Sequence, residues 1–114
     1  MESNSLVERK VRALSIRQRI ESLATRLWSD FTGRAFDTLS HSQVVLRLHL
    51  LIGKAVEADR HATHGIVIAL ASAYRETSDL IHGRSKASRT PLLRFDEWED
   101  LLHDAESIAK CEGR

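Results

Sequence analysis

A chain of 114 residues with a formal net charge of +1 has room for one hydrophobic core and not for two, and its overall charge excludes the strongly basic field of a general nucleic-acid binder. One cysteine, Cys111, excludes an intrachain disulfide, and one proline leaves long segments free to be helical. With 42% hydrophobic and 29% charged residues, the expectation is an all-α, antiparallel four-helix bundle spanning 1–114 as a single domain, with an extra N-terminal helical segment as an option.

Ser5, Leu6, Val7 and Glu8 have the spacing of a capping box, in which serine and glutamate each satisfy a free amide at a helix start. Val7, Val11 and Leu14 then form one apolar stripe. Ile16, Ile20, Leu23, Leu27 and Phe31 form another nearly opposite. Because Ser15 to Gln18 is a second possible capping box, residues 5–31 read either as two helices or as one long helix with two apolar faces. The good helix formers around Ser15 favour the long helix. Gly33 marks its stop.

Ser40 to Gln43 is a third possible capping box. From Val44 to Ala58 apolar residues recur at Val44, Leu48, Leu51 and Ala55, widened by Val45, Ile52 and Val56 and joined by Leu46 and Leu50 on another side. That pattern predicts a central, largely buried helix. His49 lies beside its stripe and reads as a hydrogen-bonded core histidine. The polar run from Asp59 to Gly65 predicts a turn, on which His61 and His64 read as solvated turn residues; two histidines without a carboxylate or thiolate make a weak metal signal.

The third helix runs from Ile66, with Leu70, Ala73 or Tyr74, Thr77 and Ile81 as its core face and Gly83 as its stop. A basic loop, Gly83 to Pro91, follows. The last helix is expected to begin near Asp96 and to bury Trp98, Leu101, Leu102, Ala105, Ile108 and Ala109 before fraying at Cys111. Charge is unevenly spread along this half. Residues 61–94 carry five basic against two acidic side chains, a balance of +3, whereas residues 95–114 carry two against seven, a balance of −5.

No repeat, glycine-rich phosphate loop or cysteine cluster is present, so neither a cofactor nor a metal is expected. Met1 to Arg12 has charges where a signal peptide needs an apolar run. The longest apolar stretch, Gly65 to Tyr74, is far short of the ~20 residues a membrane span needs, so a cytoplasmic location and no membrane partner are expected.

Within the third helix, Ser72, Arg75, Asp79 and His82 follow at intervals of three, four and three, which stacks them on one face. In the plainest reading Arg75 and Asp79 form a surface ion pair and His82 complements the helix dipole. Arginine, six intervening residues and histidine, read as Arg75-Glu76-Thr77-Ser78-Asp79-Leu80-Ile81-His82 with Gly83-Arg84 as the helix exit, resembles the motif of the HEPN family, in which four to six residues separate the pair. The resemblance extends over most of the chain from about Ser15.

That resemblance implies a metal-independent endoribonuclease, commonly the toxin of a toxin–antitoxin or phage-defence system, with Arg75 and His82 as the catalytic pair. Such chemistry needs a proton carrier near neutral pH, which histidine supplies, and a fixed cation where phosphorane charge develops, which arginine supplies. Seven residues of helix separate the two by ~10 Å of rise, so converging on one phosphate calls for two chains crossing antiparallel in a homodimer. Ser72, Ser78 and Asp79 then take supporting roles. Arg84, Lys86 and Arg89 would hold flanking RNA phosphates, and Tyr74 is the aromatic nearest the pair that could stack on a base. The implied partners are a second copy, RNA and a cognate antitoxin such as a nucleotidyltransferase-like protein. The alternative is a non-catalytic helical dimerisation or docking module that binds its partner through Val7, Val11 and Leu14.

Overall fold

The computed structural model describes residues 2–33, 41–83 and 90–110, with side chains from Val7 onward in the first of these segments and from Gln43 in the second. Among them are four α-helices and no strand: α1 (Glu2–Thr32), α2 (His41–Leu48), α3 (Arg60–Ile81) and α4 (Leu92–Lys110), with two 3₁₀ segments, His49–Lys54 and Glu57–Asp59, between α2 and α3. The expected all-α bundle is the observed architecture.

Of the two readings of residues 5–31, the single helix is the one found, and it starts at Glu2, upstream of the expected cap at Ser5. Its 31 residues account for most of the 49 Å length of the molecule, at ~1.5 Å of rise per residue. Ala13, Ile16, Ile20, Leu23, Ala24 and Leu27 are all buried, while Val7, Val11 and Leu14 on the opposite side are exposed. Phe31 is exposed as well, although it continues the buried stripe. It borders an open groove with His49, Leu50 and Gly53, beyond the reach of α4. Asp96 is level with Arg12 and Glu106 with Arg19, so Lys110 falls well short of Phe31. Phe31 instead sits 6.1 Å from the Trp28 ring. Gly33, at φ 70°, ends α1 and donates its N–H to the Ser29 carbonyl at 2.7 Å.

The expected helix from Val44 to Ala58 is shorter than its pattern. At His49 the winding tightens to 3₁₀, and Ala55 and Val56 are extended. Val44, Leu48, Leu51 and Ala55 remain buried. The tighter turn carries Leu51 into the core but leaves His49 exposed; its Nδ1 lies 3.1 Å from the Val45 carbonyl, so it is hydrogen-bonded yet not a core residue. Leu46, half a turn from Val44 and Leu48, is exposed. The break comes earlier than expected, and α3 begins at Arg60, so His61, His64 and Gly65 lie on its first turns instead of in a loop. Likewise α4 begins at Leu92, immediately after Pro91, four residues ahead of Asp96.

Paired contacts fix the directions of the long helices. Arg12 meets Asp96 and Glu99, and Arg19 meets Glu106, so α1 and α4 run the same way. Glu76 meets Arg94, whereas Ala62, Thr63 and Ile66 border the same groove as Asp104, Ser107 and Ile108, so α3 runs antiparallel to α4. It therefore runs antiparallel to α1 too. The short α2 and the 3₁₀ segments cover the end where α1 stops and α3 starts. Between these elements lies one core, in which Val67, Leu70, Ala73 and Leu80 of α3 meet Phe95, Trp98, Leu102, Ala105 and Ala109 of α4 and the inner face of α1. Leu101 and Ile108, expected in the core, are half-buried at its edge. No helix is long and apolar enough to cross a membrane, among the described residues.

Candidate functional site

The core face of α3 is set by Thr63, Val67, Leu70, Ala73, Tyr74, Thr77 and Leu80, all buried at helical spacing. That spacing dictates what is left outside. Ser72, Arg75 and His82 are exposed, and Ser78 and Asp79 are half-buried. Ile68, four residues before Ser72, belongs to the same stripe and is 51% exposed. Ile68, Ser72, Arg75, Asp79 and His82 therefore follow one another at intervals of four, three, four and three, the spacing of a seam between two helices. Ile68 was not among the residues expected here, and the heptad interval was the signal that could have found it.

His82 stands at the C-terminal cap of α3. Its backbone N–H donates to the Ser78 carbonyl at 3.0 Å, and Gly83 follows in the left-handed region at φ 72°. An imidazole at this position stands beside the carbonyl end of the helix. Arg75 lies two turns back on the same face, ~10 Å along the axis. One chain thus supplies a cation and an imidazole on a common open surface, without bringing them together. Arg84, Lys86 and Arg89, expected to line the site, lie outside the described residues.

Two neighbours qualify the surface. Glu76 points toward α4, where both its oxygens receive the Arg94 guanidinium, at 2.7 Å from Nη2 and 3.1 Å from Nε. The bond to Glu76 raises the Arg94 pKa above its ordinary value. A carboxylate next to Arg75 would repel a phosphate, but this one is matched by a cation from another helix. Arg94, eighteen residues away in sequence, was not anticipated. The second neighbour is Tyr74, which is 1% exposed and cannot stack on a base as expected. Its hydroxyl donates to Glu21 Oε2 at 2.8 Å, and the Arg17 guanidinium lies 4.1 Å over its ring.

Arg17 and Arg47 share an unusual feature. Each has a buried Nη1 with no hydrogen-bond partner, and each lies over an aromatic ring, Arg47 at 4.3 Å over Trp28. The ring face supplies electrostatic compensation for a desolvated guanidinium. Arg47 is buried as a whole, whereas Arg17 is partly exposed with only its Nη1 enclosed.

No group of three or more His, Cys, Asp or Glu residues is placed to hold a metal ion, among the described residues. Comparison with known proteins finds no matching family model, no matching curated protein and no matching solved structure.

Proposed function

We propose that the chain is a metal-independent endoribonuclease of the HEPN type, acting as a homodimer whose two α3 seams cross antiparallel. The observation that carries this reading is the common exposed face of Arg75 and His82 on α3, with their ~10 Å separation along one helix. In an antiparallel crossing centred between Ser78 and Asp79, Arg75 of one copy is level with the imidazole of the other. His82 takes the proton of the ribose 2′-hydroxyl as that oxygen attacks the adjacent phosphorus. Arg75 stabilises the negative charge that develops on the non-bridging oxygens. The bond to the 5′-oxygen breaks, that oxygen takes up a proton from water, and the products are a 2′,3′-cyclic phosphate and a 5′-hydroxyl. Ser72, Ser78 and Asp79 order the pair, and Arg84, Lys86 and Arg89 hold flanking phosphates. The setting is a cytoplasmic toxin or phage-defence effector restrained by a cognate antitoxin, of which a nucleotidyltransferase-like protein is one type.

Incubation of the purified protein with structured RNA in excess chelator tests this reading. Cleavage to 2′,3′-cyclic phosphate ends is expected for the wild type and lost in Arg75→Ala and His82→Ala. If all three behave alike, the reading fails. The exposed Val7, Val11 and Leu14 favour a second reading, a non-catalytic docking module, which predicts no cleavage but a partner lost on Val11→Asp.

A further inference from the structure

The early start of α3 has a chemical result beyond the seam. It sets the His64 ring opposite that of His49, with centroids 6.4 Å apart and planes at 62°, although the two residues are on different elements. Both side chains are exposed.

We propose that His49 and His64 form a two-imidazole site for a late first-row divalent ion, with Cu²⁺ preferred over Ni²⁺ and Zn²⁺. Nδ1 of His49 lies 3.1 Å from the Val45 carbonyl oxygen. A carbonyl can only accept, so this contact calls for the tautomer with the proton on Nδ1, which leaves the Nε2 lone pair for a ligand. A backbone bond of this kind fixes both the tautomer and the ring direction of metal-bound histidines. With metal–nitrogen bonds of ~2.0–2.1 Å, two imidazoles on one ion have centroids roughly 5–6.5 Å apart, from tetrahedral to linear arrangements. The observed 6.4 Å is at the open end of that range, and a rotation of the exposed His64 side chain closes it while His49 keeps its backbone bond. Water completes the coordination. Imidazole ligands select copper, nickel and zinc, whereas calcium and magnesium require oxygen donors.

The site lies eleven residues, ~16 Å of helix, from Arg75. Its test therefore does not depend on the Arg75–His82 pair or on the ribonuclease reading, although His64 stands one turn before Ile68 on α3. A bound ion would tie the 3₁₀ segment His49–Lys54 to the first turns of α3. The pair differs from His61 with His64, which sequence spacing offered only as a weak metal signal.

Calorimetric titration of the full chain with Cu²⁺, Ni²⁺, Zn²⁺ and Mg²⁺, together with melting curves at each saturating concentration, tests the proposal. Copper, nickel and zinc are expected to bind in a saturable manner and raise the melting temperature, and magnesium to do neither. Both effects should disappear in His49→Ala and in His64→Ala and persist in His61→Ala. Because the substituted side chains are exposed, the variants should melt like the metal-free wild type. The proposal is overturned if the wild type binds none of these ions saturably, if His49→Ala binds as well as wild type, or if His61→Ala abolishes binding.

Discussion

Tyr74 is the one tyrosine in the chain, and its environment makes it a direct reporter of the α1–α3 contact. Burial, reinforced by the hydrogen bond to Glu21, pushes its phenol from an ordinary 10 up to about 12, with Arg17 acting in the opposite direction. The folded state thus favours the neutral phenol. This contribution is complete below pH 10 and is lost as the pH rises from there through about 12. An ultraviolet titration should show no phenolate in the folded protein at pH 10.5 and a midpoint near 10 in denaturant. A folded-state midpoint near 10 would contradict the buried contact. Tyr74→Phe, which removes the hydroxyl but keeps the ring under Arg17, is expected to cost about 1 kcal/mol in denaturant unfolding and to flatten the alkaline loss of stability.

At the level of the helices, packing outweighs charge. Leu102 is fully buried where α4 meets the core, and Leu102→Ala should cost about 2–5 kcal/mol. Arg19 and Glu106 are each about one-third exposed, and Arg19→Ala should cost less than about 1 kcal/mol, with the loss shrinking in high salt. Urea unfolding of both variants checks the contrast. Gly65 offers the converse case. It lies within α3 with open space around its Cβ position, so Gly65→Ala should stabilise by about 1 kcal/mol, whereas Gly83→Ala, at φ 72°, should destabilise by a similar amount. These elements differ in how far their sequences disclosed them. The two opposed stripes of α1 and the positive-φ exits at Gly33 and Gly83 are written locally, as is the exposed face that carries Arg75 and His82. The change to 3₁₀ winding at His49 is not, because Val44, Leu48, Leu51 and Ala55 satisfy a helical period and only docking against α1 and α3 selects the tighter turn. For the same reason the Glu76–Arg94 pair and the His49–His64 approach were hidden: each joins separate elements.

For the molecule as a whole, the ribonuclease proposal makes assembly a requirement. In that proposal each composite site would take Arg75 from one copy and His82 from the other. Mixing inactive Arg75→Ala and His82→Ala chains under conditions that exchange subunits should therefore restore partial cleavage, since every mixed dimer contains one site with both native residues. No recovery despite demonstrated exchange would rule out a shared site. Arg94→Ala supplies a milder test on the same surface. With Glu76 released beside Arg75, cleavage at saturating RNA should change less than the RNA concentration needed for half-maximal rate, as expected for added repulsion toward phosphate.

The parallel course of α1 and α4 also bears on how the chain is made. Arg9 reaches the Thr90 carbonyl and Arg12 reaches Asp96, contacts separated by 81 and 84 positions, so the inner face of α1 is completed by a helix made some eighty residues later. Until α4 emerges, the strip of Ile16, Ile20 and Leu23 lacks the neighbours that α4 supplies. Closure over such a distance is slow relative to helix formation, and a nascent chain halted before Pro91 should remain protease-sensitive throughout α1. This core is therefore expected to become protected only once α4 has been made.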